Sequence, residues 1–230
     1  MKLYLNIGNT HTELSTGPDA EIDIVRTTNL VDFLSSKEEF VEAILIVSVV
    51  PQISSALKLI FGQRLRILTI ESVPEIDFSL VDGSSLGADR IANALAAKQL
   101  YGAPVMIIDC GTCITTELLT HGYQFSGGAI LPGRQLQRKI LHEATGQLPL
   151  ISLAHSLPQV NGLNTQEAIS AGIDLGLCGA LEKLINANRA IIPKLQVIFT
   201  GGDAPFFLEN FPGDTQAPKN FTLNGLFQIN

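Results

Sequence analysis

The stretch VMIIDCGT, residues 105–112, decides the fold predicted for this chain. Its first four residues are apolar, which is typical of a parallel strand buried on both faces. Asp109 then ends the strand, and Gly111 and Thr112 form a small polar turn. Glycine lets the backbone approach a ligand closely, and consecutive amides in such a turn can donate to phosphate oxygens.

The same pattern opens the chain as LYLNIG at residues 3–8. When Asn6 is aligned with Asp109, Gly8 falls on Gly111 and Thr12 falls on Thr115, an offset of 103 residues. Both copies end the first strand of a predicted three-strand meander. The sequence therefore predicts an α/β fold of two duplicated domains that face a cleft, with residues 1–102 in the first and 103–230 in the second.

Apolar runs and turn residues predict the remaining elements. Further strands are expected at 12–15, 22–26, 43–50, 65–70, 115–119, 123–130 and 195–200. Helices are expected at 51–61, 90–100, 134–144 and 166–188.

Composition excludes several classes of protein. The 230 residues are 46% hydrophobic and 16% charged, which favours a large core over disorder. A net charge of -7 argues against nucleic-acid binding. The longest apolar run, residues 43–50, is far shorter than the ~20 residues that cross a bilayer. Since no signal-peptide core follows the N-terminus, we expect a cytoplasmic protein without membrane contact.

Three cysteines are too few for a disulfide framework. Cys110 and Cys113 form a C-x-x-C pair, which is typical of a redox centre or half a zinc site. No second pair follows, so buried thiols beside a strand end are the favoured interpretation.

Glycine turns follow predicted strands at four places: 8–10, 111–112, 127–128 and 201–202. Any one of them could be an ordinary loop glycine. Four in this order at strand ends instead favour a nucleotide site. The sequence has no G-x-x-x-x-G-K-[ST] and no G-x-G-x-x-G after its first strand, so neither a P-loop nor a Rossmann dehydrogenase is predicted.

With these motifs in order, nearly the whole chain resembles the type III pantothenate kinases, the group that includes the Bvg accessory factor. The resemblance is carried by NIGNT at 6–10, GADR at 87–90, DCGT at 109–112, GGAILPG at 127–133, GLNTQEAI at 162–169 and TGG at 200–202. It implies ribonuclease-H-like domains of the actin-like ATPase and sugar-kinase type. It also implies transfer of the ATP γ-phosphate to the primary hydroxyl of pantothenate, giving 4'-phosphopantothenate in the first step of coenzyme A biosynthesis, with Mg²⁺, a monovalent cation (K⁺ or NH₄⁺) and a homodimer.

The resemblance also implies roles for individual residues. Asp89 is expected to be the general base, because phosphoryl transfer needs only a positioned carboxylate for the proton. Arg90 would bind the pantothenate carboxylate, and Asp109 would hold a metal ion. The predicted substrate-binding residues are Gly87, Ala88, Asp89, Arg90, Thr165 and Leu80. The predicted ATP-binding residues are Asn6, Ile7, Gly8, Asn9, Thr10, Thr12, Thr112, Gly201 and Gly202.

Structural roles compete with some of these assignments. Asp89 and Arg90 could be a solvated pair at a helix start, and Asp109 could cap the turn after its strand. Thr165 could be the N-cap of the helix that follows it, or a substrate contact donated by a dimer partner.

Two residues depart from the family pattern. The family's first motif normally starts with Asp where this chain has Asn6, and Leu80 stands where a Tyr is usual. These changes favour, as the alternative, a catalytically weakened nucleotide-binding regulator of the same fold. A kinase for another small hydroxylated acid or sugar is a third hypothesis.

Overall fold

This computed structural model describes residues 1–229, which form a mixed α/β structure. The strands are β1 (Lys2–Ile7), β2 (His11–Ser15), β3 (Asp23–Arg26), β4 (Ala43–Ser48), β5 (Leu65–Ile67), β6 (Val105–Cys110), β7 (Cys113–Thr120), β8 (Gln124–Phe125), β9 (Ile130–Pro132), β10 (Gln196–Thr200) and β11 (Thr215–Gln216). The helices are α1 (Leu30–Ser35), α2 (Pro51–Phe61), α3 (Ala88–Tyr101), α4 (Arg134–Ala144), α5 (Thr165–Ser170), α6 (Gly176–Ile191), α7 (Ala204–Leu208) and α8 (Phe221–Leu226).

Packing divides the chain into two units. The first holds Met1–Ala103, the short segment His121–Ser126 and the C-terminal segment from Lys219 onward. The second holds Pro104–Thr120 and Gly127–Pro218. The domain boundary predicted between residues 102 and 103 stays a prediction.

In the first unit β1 is the central strand of a sheet with the order β3-β2-β1-β4-β5. It pairs antiparallel with β2 and parallel with β4. Its apolar residues, such as Leu5 and Ile7, are fully buried in one core with β4, α1 and α2. α3 is buried from Ile91 to Ala97 and packs on α8, whose Gly225 leaves room for the Ala92 carbonyl.

The second unit repeats this topology. β6 pairs antiparallel with β7 and parallel with β10, β9 extends the sheet beyond β7, and β11 extends it beyond β10. The predicted duplication and the mixed α/β fold are therefore confirmed.

The two hairpins differ by one residue. In the first, Ile7 lies opposite Thr12, whereas in the second Cys110 lies opposite Ile114 and Thr115 lies opposite Asp109. The counterpart of Thr12 in the sheet is therefore Ile114, buried like Thr12, and not Thr115 as the offset of 103 predicted.

The strand predicted over 123–130 is wrong in its extent. A turn occupies His121–Tyr123, β8 covers only two residues, and β9 begins at Ile130. Gly127 has φ +77°, which breaks the extended backbone between the two strands.

Helical backbone continues from Thr165 to Ile191, confirming the helix expected there. Its middle segment, Ala171–Leu175, is a π-helical turn that joins α5 to α6. Such bulges change the direction of side chains within a helix, and here Asp174 is fully buried. A helix able to span a membrane would have to be longer and more apolar than any in residues 1–229.

Candidate active site

The turn between β1 and β2 is shaped by Gly8. Its amide donates to the His11 carbonyl at 3.1 Å. A Cβ atom at position 8 would lie 2.9 Å from that same carbonyl oxygen, so a larger residue would open the turn. Asn9 and Thr10 are exposed at its tip, as a ligand-binding turn requires.

Thr27 holds this turn through two hydrogen bonds. Its hydroxyl donates to the Gly8 carbonyl at 2.7 Å, and its amide donates to the Thr10 carbonyl at 3.1 Å. Thr12 is fully buried, and its hydroxyl shares a 3.1 Å hydrogen bond with the Thr27 hydroxyl. The structure therefore places Thr12 inside the hairpin, whereas Asn9 and Thr10 face solvent.

Asn6 lies directly opposite Glu13 near the end of β1. Its side-chain amide donates to Glu13 Oε2 at 3.2 Å, and both residues are half-buried. An amide at position 6 thus suits a carboxylate at position 13, a pairing that the sequence alone did not reveal.

Asp89 lies in the first turn of α3, with Gly87 as the N-cap residue. The Arg90 amide donates to Asp89 Oδ1 at 2.9 Å and contacts the Gly87 carbonyl at 3.1 Å. Burial raises the pKa of the Asp89 carboxyl above its ordinary value, against the opposing effects of the Arg90 amide and charge. A carboxylate with a raised pKa is a better proton acceptor than an exposed one.

The neighbours of Asp89 differ in exposure. The Arg90 guanidinium lies over the Phe125 ring, 5.8 Å from its centroid. Gly87 and Ala88 are half-buried, while Leu80 is 61% exposed and so belongs to the surface rather than to the core.

In the second unit the ends of β6 and β10 bring together Asp109, Gly111 and Gly201. Thr200 lies opposite Asp109 in the sheet. Gly201 has φ +87°, and a Cβ atom there would lie 2.5 Å from Asp109 Oδ1 and 2.6 Å from the Cys110 carbonyl. Gly201 therefore has to be glycine for conformation and for space, and it leaves an exposed turn beside a carboxylate.

Gly133 completes this turn region. Its amide donates to the Thr112 carbonyl at 2.9 Å, and a Cβ atom at position 133 would collide with the backbone of Gly111 and Thr112. Gly133 thus allows close packing of the backbone at the strand ends.

A buried ion cluster lies next to this turn, and sequence reasoning missed it. Arg134, Arg138 and Asp174 are each at most 2% exposed. Asp174 accepts hydrogen bonds from Arg134 Nε at 3.0 Å and Arg138 Nη2 at 2.8 Å. Arg134 Nη1 also reaches Asp203 Oδ1 at 3.4 Å. The four-residue spacing of the two arginines on one face of α4 was the available signal.

Thr165 begins α5 but is not its cap. The Asn164 side chain accepts the Glu167 amide at 3.0 Å and so caps the helix, which corrects the N-cap interpretation of Thr165. Thr165 is exposed and lines an open groove of about 810 Å³ on the second unit. The other groove residues are mainly apolar, among them Ile140, Leu141 and Ile173.

The cysteines are only partly as expected. Cys110 is buried, and burial raises the pKa of its thiol well above the ordinary value. Cys113 is exposed, because it starts β7 directly after the exposed Gly111–Thr112 turn. Within residues 1–229 no group of three or more His, Cys, Asp or Glu side chains is placed to hold a metal ion.

The structure thus gathers the predicted residues into three groups. One follows the β1–β2 hairpin, from Asn6 to Thr12. The second is the start of α3 with Asp89. The third is the turn region of Asp109, Thr112 and Gly201–Gly202, and Thr165 stands apart from it at the start of α5.

Comparison with known proteins identifies the same family. The sequence profile described as type III pantothenate kinase matches residues 2–187. A type III pantothenate kinase of Gluconobacter oxydans is 40% identical over 66% of this chain, and the match spans 56% of that relative's length. One of Kosmotoga olearia is 32% identical over 90% of this chain and 87% of its own length.

Solved structures show the fold. A crystal structure of a Baf family transcriptional activator from Campylobacter jejuni superposes with a TM-score of 0.70 at 20% identity, covering 99% of this chain and 96% of that one. A Listeria monocytogenes protein described as an N-acetylmannosamine kinase gives 0.54 at 12% identity, covering 99% and 97%. The predicted actin-like ATPase and sugar-kinase fold is confirmed.

Proposed function

Because this chain belongs to the type III pantothenate kinase family, we propose that it transfers the γ-phosphate of ATP to the primary hydroxyl of pantothenate. The product is 4'-phosphopantothenate, the first intermediate towards coenzyme A. The observation that carries the proposal is the repeated hairpin, which presents an exposed glycine turn at the end of each central strand, together with a desolvated carboxylate at Asp89.

ATP binding is assigned to backbone donors and small hydroxyls. Exposed Asn9 and Thr10 on the first hairpin, and Thr112, Gly201 and Gly202 on the second unit, offer amides and hydroxyls to phosphate oxygens without adding charge. We assign Thr12 to holding the hairpin through Thr27, since its hydroxyl is buried. Asn6 and Ile7 support the same turn from β1.

Asp109 is the residue that would hold Mg²⁺. Mg²⁺ commonly takes one or two carboxylates, with phosphate and water oxygens completing the shell. The Asp109 carboxylate, which lies at the end of β6 beside the exposed Gly201 turn, would supply one such ligand. Bound there, the ion would offset phosphate charge during transfer. The monovalent cation stays a prediction without assigned ligands.

The acceptor is activated by Asp89. The pantothenate hydroxyl oxygen attacks the γ-phosphorus, the bond from that phosphorus to the β–γ bridging oxygen breaks, and the hydroxyl proton moves to the Asp89 carboxylate. Arg90 would bind the pantothenate carboxylate through its guanidinium. Gly87 and Ala88 let the substrate approach the helix start, and exposed Leu80 would contribute an apolar contact in place of a phenol.

We also propose that the chain acts as a homodimer in the cytoplasm. The groove beside Thr165 is open and mainly apolar, and Ile140 in it is 47% exposed. A second copy would cover this surface. A solution mass near 24.7 kDa, that of one chain, would contradict the dimer.

The function is tested by incubating the protein with ATP, Mg²⁺ and K⁺, with and without pantothenate. We expect ADP release that depends on pantothenate. If ATP binds but no acceptor stimulates ADP release, the chain is the non-catalytic regulator instead. If release requires a different hydroxylated acid or sugar, the assigned substrate is wrong.

Asn6→Asp is expected to raise turnover and lower stability. A carboxylate at position 6 would offset the charge of the metal ion bound with ATP, which a neutral amide cannot do. Two unit charges ~4 Å apart at a dielectric of ~20 interact by ~4 kcal/mol. The new carboxylate would also face Glu13, and like charges directly opposite on paired strands destabilise by roughly 1 kcal/mol.

Turnover at saturating Mg²⁺ and urea unfolding measure the two effects. Asn6→Asp combined with Glu13→Gln should regain the lost stability, because it removes the facing charge. Unchanged or lower turnover in Asn6→Asp would contradict the expected gain.

A further inference from the structure

We propose that Arg134 is a positioning residue for the nucleotide, which acts by anchoring Asp203 and with it the Gly201–Gly202 turn. The inference rests on the proposed function only in that this turn is taken to bind ATP. It adds a residue outside the motifs that suggested the nucleotide site.

Arg134 is held on every side by elements of the second unit. Its guanidinium contacts both oxygens of Asp174, at 3.0 Å and 3.3 Å, and donates to the Ala154 carbonyl at 2.7 Å. Its remaining nitrogen, Nη1, lies 3.4 Å from Asp203 Oδ1. The Phe206 ring covers the guanidinium with its centroid 3.4 Å away. A side chain fixed by so many partners has one conformation and can define the position of its neighbours.

Asp203 connects this anchor to the turn. Its amide donates to the Cys110 carbonyl at 3.0 Å, which ties the residue after Gly202 to the end of β6. The Ala204 amide donates to the Gly201 carbonyl at 3.2 Å. The turn is therefore bounded by Asp109 on one side and by the Asp203 anchor on the other. Gly201 and Gly202 are exposed and have no side chains that could hold the turn in place. Loss of the Arg134–Asp203 ion pair would therefore let them take up other conformations.

The charges of the cluster support the same role. Arg134 and Arg138 are both buried, and Asp174 carries one negative charge between them. Asp203, 22% exposed, supplies the second negative charge through its ion pair with Arg134. Because a buried guanidinium is costly without a partner, the arrangement favours keeping Asp203 close to Arg134.

Arg138 provides an internal comparison. It is as buried as Arg134 and binds Asp174 through two nitrogens, at 3.0 Å and 2.8 Å. Its further hydrogen bond runs to the Arg134 carbonyl of its own helix at 3.2 Å. The two arginines thus share burial and the Asp174 contact, but Arg134 alone of the pair has an ion pair with the turn residue Asp203.

The test compares Arg134→Met with Arg138→Met. Both variants should unfold at lower urea concentrations than the parent. ADP binding, measured by titration calorimetry on the folded protein, should weaken by about tenfold or more in Arg134→Met, as loss of a charged hydrogen bond implies. It should weaken by a clearly smaller factor in Arg138→Met, because the ion pair of Arg138 is with Asp174 and not with the turn residue Asp203. Steady-state kinetics should show a raised KM for ATP and an unchanged KM for pantothenate in Arg134→Met alone.

Asp203→Asn keeps the inference testable if Arg134→Met does not fold. The Asp203 side chain is partly exposed, and asparagine has the same size and shape, so this variant should fold. Its affinity for ADP should be lower than that of the parent by about threefold or more. Equal ADP affinities in the Arg134 and Arg138 variants, or an unchanged affinity in Asp203→Asn, would overturn the proposal. Because ADP binding is measured without pantothenate, failure of the proposed acceptor would leave this result interpretable.

Discussion

Asp89→Asn is expected to lower turnover by about 10²- to 10⁴-fold, the range that a positioned general base contributes. The asparagine keeps the size of the side chain and can still accept the Arg90 amide through its Oδ1 atom, so the start of α3 should keep its structure. Because the asparagine amide does not accept the hydroxyl proton, only the rate of phosphoryl transfer should fall. ATP affinity should stay close to that of the parent.

Turnover and ATP affinity are measured side by side for this variant. Asp32→Asn is the matched control, since Asp32 is exposed on α1 and its loss should alter neither quantity. Full turnover in Asp89→Asn would remove Asp89 as the base. A loss of ATP binding equal to the loss of turnover would assign it to binding instead.

The pKa of Asp89 adds a pH dependence to the same expectation. Burial raises this pKa, so the carboxyl takes up its proton at a higher pH than an exposed aspartate does. A protonated carboxyl cannot act as a base, and turnover should fall as the pH drops through that raised value.

Asp174→Asn is expected to have the largest effect on stability, lowering the free energy of unfolding by about 3–5 kcal/mol, as loss of one partner from a buried ion pair does. Asp174 is fully buried between Arg134 and Arg138, and the neutral amide would remove the carboxylate that pairs with both buried guanidinium groups. Some loss of ATP affinity should follow through Arg134.

Urea unfolding measures this change against Glu182→Gln, an exposed position on the neighbouring helix α6 whose stability should stay within about 0.5 kcal/mol. A loss below about 1 kcal/mol in Asp174→Asn would mean that the cluster contributes little to the fold.

The repeat was predictable because it rests on strongly patterned strands. Two apolar runs that each end in a polar residue and a glycine predicted β1 and β6, and the sheets confirm their matching places. The one-residue difference between the hairpins was not predictable, since it depends on which carbonyl each turn glycine bonds. Gly8 donates to His11, three residues on, whereas Gly111 donates to Cys113, two residues on.

The parts that sequence reasoning missed depend on contacts between residues distant along the chain. Arg134 and Asp174 are 40 residues apart, and only the fold and the π-helical turn bring them together. The Asn6–Glu13 pair likewise requires the strand register. Local rules also failed where glycines interrupt a run, as Gly127 does in the strand expected over 123–130.

The most direct test of the account is identification of the product formed from ATP and pantothenate by phosphorus NMR and mass spectrometry. The account predicts one new phosphate ester on the primary hydroxyl of pantothenate, formed in equal amount to ADP by the parent chain and almost absent with Asp89→Asn. ADP formed without any phosphorylated pantothenate would contradict it.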